Sequence, residues 1–326
     1  MEILRKLRWF FYPSVIIFVF LFASYCTFPE EVVRRFVDYT IFNAAMAVGP
    51  KNHGFPDVKM EKASLWRGSG VSVSGLKLSW PTPNKMNPIN VQIDSLKGRV
   101  ALSSLLSSTK KIPILGEFYG GKLDSEFKIR QPNTLLGVEL SLTKLNLAKI
   151  DLLEAALGSQ LRGVLDIQVD VESQSQLSKD GTGLIKLILD NAAYGPGSLN
   201  VPMGGFVSNL SVPLINLGKL NIEMNLAKGK LDSKVFSLKG GDLEGEMKLA
   251  VELGRVPQLS RLDGSGWFSL KKEFVASNET FKMLFDLIPE LRTAQQGDGK
   301  VGFSIRGIFG RPYFKLESYK SDNAKS

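Results

Sequence analysis

The stretch from Gly121 to Arg130 reads GKLDSEFKIR, and GKLDS opens again at Gly229 within KGKLDSKVFSLKGGDLEGEMKLAVEL (Lys228–Leu253). In the first copy Leu123, Phe127 and Ile129 alternate with Lys122, Asp124, Glu126, Lys128 and Arg130. A period of two puts the apolar set on one face of a β-strand and the charges on the other. One Asp and one Ser on opposite faces make no ligand geometry, so the repeat reads as a duplicated strand unit rather than a duplicated site.

The same alternation runs through most of the chain. Val71 and Val73 are followed, after a slip at Gly75, by Leu76, Leu78 and Trp80. A Gly at such a change of phase predicts a β-bulge. Ile89, Val91 and Ile93 alternate, as do Leu165, Ile167, Val169 and Val171 against Asp166, Gln168, Asp170 and Glu172. Leu220, Ile222, Met224 and Leu226 follow, then Leu243, Met247, Leu249, Val251 and Leu253, and finally Val301, Phe303, Ile305, Phe314 and Leu316. Buried parallel strands would be apolar nearly throughout, so the pattern predicts an antiparallel sheet with one wet face. LILDNAAYGPGSLNVP (Leu187–Pro202) is rich in Gly and Pro and reads as a turn.

Helical spacing is confined to a few segments. Val33, Phe36, Val37, Thr40, Ile41, Ala45 and Val48 recur as one stripe of an amphipathic helix over 29–50. That helix either lies on the outer leaflet of a membrane or packs on the domain that follows. LNLAKIDLLEAALGSQL predicts a helix ending at Gly158, with Leu147, Ile150, Leu153, Ala156 and Leu157 on one side. SNETFKMLFDLIPELRTAQQ predicts another, and ALSSLLSSTKKI a short helix or turn. These are covers for an end of the sheet, too few for so many strands. The apolar face therefore either packs on a second sheet as a sandwich or lines a curved trough.

Before all of this comes an uncharged run, WFFYPSVIIFVFLFASYCTF, from Trp9 to Phe28, preceded by Arg5, Lys6 and Arg8. About 20 apolar residues at ~1.5 Å rise cover the ~30 Å hydrocarbon core. Trp9 and Tyr12 suit the headgroup layer, while Ile16, Ile17, Phe18, Phe20 and Phe22 face lipid. The basic start stays in the cytoplasm and the bulk of the chain crosses the membrane. A cleaved signal peptide is the rival reading, but Tyr25 and Phe22 stand where cleavage favours small residues. The expected organisation is a basic start (1–8), a transmembrane anchor (9–28), the amphipathic helix (29–50), a β-rich domain (51–318) and a polar tail (319–326).

Chemistry-bearing motifs are scarce among the 326 residues. The one cysteine, Cys26, lies inside the anchor, and the one histidine, His53, lies in the loop GPKNHGFP. Cysteine metal clusters are excluded, and a histidine-based catalytic triad would have to run through that loop. GSGVSVSG at Gly68–Gly75 lacks the lysine and helix of a phosphate loop. The acidic residues alternate with lysine as on a solvated sheet face. No enzyme and no cofactor are expected. The net charge of +9 suits solubility or an anionic membrane surface. Nucleic acid is not expected, because no basic cluster interleaves with aromatics.

Three stretches carry a resemblance: VKMEKASLWRGSGVSVSGLKLSWP, IDSLKGRVALSSLLSSTKKIPILGEFYGGKLDSEFKI and GKVGFSIRGIFGRPYFKLES. With the anchor before them, they resemble the type II secretion system protein N family. The middle stretch is also similar to the AsmA-like proteins of the bacterial envelope, and GIFGRPYF resembles a strand pair frequent in that group. The resemblance implies a single pass through the bacterial inner membrane and a periplasmic β domain. It implies no catalytic residues. The first expectation is an accessory component of type II secretion, contacting other secretion components or lipid. The alternative is an AsmA-like module holding phospholipid or lipopolysaccharide, with Leu123, Phe127, Ile129, Leu165, Ile167 and Val169 as groove residues.

Overall fold

A computed structural model describes residues 29–48, 54–81, 88–104, 107–130, 134–203, 206–254, 256–287, 289–295 and 299–318. The chain opens with helix α1 (Glu30–Val48), followed by β1 (Asp57–Lys59), β2 (Lys62–Trp66), β3 (Gly70–Trp80) and β4 (Ile89–Arg99). Then come β5 (Thr109–Phe118), β6 (Gly121–Arg130), β7 (Thr134–Asn146), α2 (Asp151–Leu157), β8 (Ser159–Glu172) and α3 (Leu177–Asp180). The second half holds β9 (Thr182–Met203), β10 (Phe206–Val212), β11 (Ile215–Ala227), β12 (Lys230–Gly240), β13 (Leu243–Glu252) and β14 (Arg261–Leu270). Helices α4 (Lys272–Ser277), α5 (Glu279–Leu287) and α6 (Pro289–Ala294) precede the closing pair, β15 (Val301–Ile308) and β16 (Arg311–Glu317).

Among the described residues sixteen strands form one sheet, every pairing is antiparallel, and the strand order largely follows the sequence. The fold is mainly β, an open meander rather than two facing sheets. It departs from this order twice: β1 and β2 both pair with β3, and β10 pairs back on the far end of β9. Short connections suffice because antiparallel neighbours need only a hairpin.

The two GKLDS copies start β6 and β12, and each follows a turn with two consecutive left-handed residues. These are Tyr119 and Gly120 in one case and Lys228 and Gly229 in the other. Two positive φ values describe a tight turn matched to strand twist. The copies sit one residue apart relative to their turns: β6 begins with Gly121, whereas Gly229 is still in the turn. Leu123 and Leu231 nevertheless face the same way, and so do Ser125 and Ser233. The Ser125 hydroxyl donates to the Ile114 carbonyl at 3.2 Å, and the Ser233 hydroxyl accepts from the Leu249 amide at 2.8 Å. The repeat is strand architecture.

Two expectations about the strands are corrected. The Gly- and Pro-rich segment is not a turn but part of the 22-residue β9. Its pairings with β8 and β11 shift register around Asn191 to Gly197, and β10 pairs along its last residues. Pairing on both sides of the segment overrides its local turn preference. Gly75 does mark a change of phase, with φ +62, but β3 and β4 stay in one register across it. It is a left-handed residue within β3, not a bulge with an extra residue on one strand.

Helix α1 covers the start of the sheet. Val33 and Val37 pack with Met60, Ala63, Val73 and Leu76, and Ile41 borders the same cluster. Phe36 and Thr40, expected on this stripe, are exposed instead. Ala45 joins Trp80 and Ile89, against which Leu152 of α2 also packs. Helix α2 touches both β8 and β4. In a flat sheet those strands would be ~19 Å apart, at ~4.8 Å per spacing, while a helix is ~10 Å wide. The sheet therefore curls between them. Helix α2 ends at Gly158, which caps it at φ 70, as the spacing predicts.

Trp9, Tyr12, Ile16, Ile17, Phe18, Phe20 and Phe22 lie outside the described residues, as does His53. Among the described residues no helix is long and apolar enough to cross a membrane.

Candidate functional site: the apolar face of the sheet

Residues directly opposite each other on neighbouring strands share a face, so the pairing register shows how far the apolar surface extends. Starting from Val73, successive partners are Leu96, Gly116, Leu123, Leu142, Ile167, Leu187, Ile222 and Phe236. A parallel row runs from Ile112 through Phe127, Val138, Val171, Gly183, Leu226, Leu231, Val251, Leu262 and Gly307 to Pro312. No charged side chain interrupts either row. Between them Ser125, Leu140, Val169, Ile185, Met224 and Ser233 form a third, whose serines spend their hydroxyls on the backbone bonds given above.

The six groove residues expected from the sequence lie on this one face: Leu123, Phe127 and Ile129 on β6, and Leu165, Ile167 and Val169 on β8. Strand β7 joins them, placing Leu142 between Leu123 and Ile167 and Leu140 beside Val169. All six are half-buried. The sequence reading stopped short of Ile185, Leu187 and Leu189, which continue the surface on β9. Their segment is apolar nearly throughout and its alternation is weak, so only pairing with β8 reveals their side.

Coverage of the face is uneven. Under α2 and the 3-10 turn at Leu147–Lys149, the side chains of Leu142, Leu145, Leu147, Leu189 and Ala192 form a closed cluster. Leu123, Leu165 and Ile167 border it, together with Ile150 and Leu153 from the covering segment. Phe127, Ile129 and Val169 lie beyond that cluster and are half-buried, while Val171, Met224 and Leu226 on the same face are buried. Towards the last edge Phe303 contacts Phe268 at 6.2 Å and Phe314 at 5.3 Å between ring centroids, and Phe314 is 53% exposed.

The opposite face is polar and internally neutralised. One of its rows runs from Asp124 through Ser141, Gln168 and Lys186 to Glu223. Cross-strand ion pairs join Lys111 to Glu126, Lys128 to Glu172, Lys219 to Asp190 and Lys239 to Glu246 at 2.7–3.5 Å. The bond to Glu172 raises the Lys128 ammonium above its ordinary range. Exposed pairs of this kind contribute about 0–1 kcal/mol each. They keep like charges from meeting across strands rather than building a site.

Between β12 and β13 the pairing lapses from Ser233 to Phe236, where Lys234 is an extra residue opposite β11. The gap opens a cleft of about 380 Å³ lined by Lys234, Phe236, Lys239, Glu246, Met247 and Trp267, drawn from both faces. Among the described residues no group of His, Cys, Asp and Glu could hold a metal ion.

The class these features define is a single-layer, open antiparallel sheet with one continuous apolar face. Compared with known proteins, the chain matches no family model, no curated protein and no solved structure.

Proposed function

We propose that this protein is an inner-membrane-anchored envelope protein that holds the acyl chains of phospholipid or lipopolysaccharide on the apolar face of its sheet. The observation that carries the reading is the pair of uncharged rows on one face, reaching from β3 to β12 and from β5 to β16, in which Phe127, Val138, Ile167 and Leu187 stay half-buried while Leu142, Val171, Leu226 and Leu262 are buried. A filled sandwich would bring those side chains to full burial. Each CH₂ removed from water contributes ~0.8 kcal/mol, so about a dozen methylenes laid on this face gain roughly 10 kcal/mol before ordering costs. The anchor expected at residues 9–28 keeps the sheet beside a source of such chains. The role is non-enzymatic. A place beside the type II secretion machinery rests on sequence resemblance, and no feature of the sheet favours it over lipid holding.

The test is native mass spectrometry with lipid extraction on the full chain, purified from membranes in mild detergent. Stoichiometric phospholipid or lipopolysaccharide is expected, and it is lost in folded Phe127→Asp and Ile167→Asp variants. A lipid-free chain, or lipid retained unchanged in both variants, overturns the reading.

A further inference from the structure

Helix α1 has two apolar faces, and the sheet uses one. Val33, Val37, Ile41 and Ala45 turn inward onto the first strands. Val32, Phe36, Tyr39 and Met46 recur at i, i+4, i+7 and i+14. At about 100° per residue they form a second stripe nearly opposite the first. These four are 52%, 65%, 71% and 46% exposed. Beside the stripe Phe42 stacks on Phe55, which is itself 74% exposed. Isolated exposed apolar side chains are ordinary, but a row of them along one helix face marks an interaction surface.

We infer that this outward stripe of α1 seats in the interfacial layer of the bilayer, so that the helix is clamped between membrane and sheet. The inference rests on the anchor proposed for residues 9–28, but not on what the sheet holds. Chain continuity argues for the occupant. The uncharged run ends at Phe28 and α1 begins at Glu30. The first turn of the helix is therefore within a few residues of the point where the anchor leaves the hydrocarbon. At ~1.5 Å per residue, the stripe from Val32 to Met46 runs about 21 Å along that surface. Phe and Tyr suit the boundary between headgroups and acyl chains. Arg35, exposed beside the stripe, has the reach to meet a lipid phosphate. Seated this way, α1 holds the β1–β4 end of the sheet against the bilayer, and the apolar face begins where acyl chains are available.

The test uses the full chain in phosphatidylethanolamine–phosphatidylglycerol vesicles. Single labelling sites, Phe36→Cys, Tyr39→Cys and, on the polar sheet face, Lys122→Cys, are placed in a Cys26→Ser background and carry an environment-sensitive fluorophore. Labels at positions 36 and 39 are expected to be quenched by doxyl-labelled lipid and to lose their quenching by aqueous iodide. The label at position 122 should show the reverse. Retention on the vesicles through alkaline washing reports the anchor separately. A retained chain whose labels at 36 and 39 answer to iodide like that at 122 overturns this inference alone. Labels shielded from both quenchers show a second copy on the stripe and also overturn it. A chain that washes off overturns the anchor, and this inference with it.

Discussion

Leu123 and Ile167 stand two strands apart on one row of the sheet, each directly opposite Leu142 on the strand between them. Leu142 is only 7% exposed, because the segment around Ile150 and Leu153 covers it. Four residues further along β6, Phe127 is half-buried and outside that cluster. Along β6 the same face thus passes from beside a closed cluster to a ring that is part-exposed.

This division predicts an inverted order of truncation costs. In closed cores Phe→Ala costs about 3–5 kcal/mol and Leu→Ala about 2–5. Here Leu142→Ala is expected to lose about 2–4 kcal/mol. Phe127→Ala, with part of its ring already in solvent, should lose less than that. Urea unfolding of lipid-free protein measures both. A greater loss for Phe127→Ala would mean that the sheet face is closed.

The two faces of α1 should also separate in stability. Val33 is 5% exposed and packed on Val73 and Leu76, so Val33→Ala is expected to cost about 1–2 kcal/mol. Phe36→Ala removes a larger side chain from the outer face, and in detergent should stay within about 0.5 kcal/mol of the parent. Denaturant midpoints give the comparison directly. Equal losses would place Phe36 in a protein contact.

What the sequence disclosed followed from its alternation. Period two assigned Leu123, Phe127, Ile167 and Val169 to one face, and one-sided strands implied antiparallel pairing. Openness was not legible, because a sandwich and a single layer share the same pattern. The difference lies in what stands opposite Phe127, which strand periodicity does not encode. Phe36 was grouped with Val33 and Val37 for a related reason: hydrophobicity names apolar faces without saying which meets the sheet. In β9, Gly195 and Pro196 signalled a turn, yet pairing with β8, β10 and β11 carries the strand through.

Tyr119 holds the curl at a point where strand pairing cannot. Strand β4 pairs with β5 only over Ser95–Gly98, and beyond it the Gln92 amide donates to the Tyr119 hydroxyl at 3.0 Å. Burial first, and then the nearby Asp151 and Asp94 carboxylates, push the phenol above its ordinary range, while the Gln92 bond opposes them. A raised folded-state value means that this contribution is fully present below about pH 10 and is lost as pH rises through the folded value. Tyr119→Phe should cost about 1 kcal/mol at neutral pH and speed hydrogen exchange at Gln92. It should also remove a late-titrating component from the ultraviolet phenolate absorbance. Unchanged exchange at Gln92 would show that the hydroxyl does not hold the strand.

Asp180 does comparable work at the β8–β9 connection. Its carboxylate accepts from the Ser173 hydroxyl at 2.6 Å and from the amides of Gln174, Ser175 and Gln176 at 3.0–3.2 Å. The Ser173 bond, then the Gln176 amide, hold it far below the usual carboxylate range. A depressed folded-state value stabilises the fold above the unfolded value of about 4, and that contribution fades as pH falls towards the folded one. Asp180→Asn keeps the shape but gives up the charge-assisted bonds, so the variant should melt lower than the parent at pH 7. The difference in Tm should narrow as pH falls below about 4, because the parent's unfolded chain then takes up a proton at Asp180 and is stabilised, whereas the variant has no such group to titrate. Melting curves followed by circular dichroism from neutral to acid pH give the comparison. A gap independent of pH would assign the role of Asp180 to shape rather than to charge.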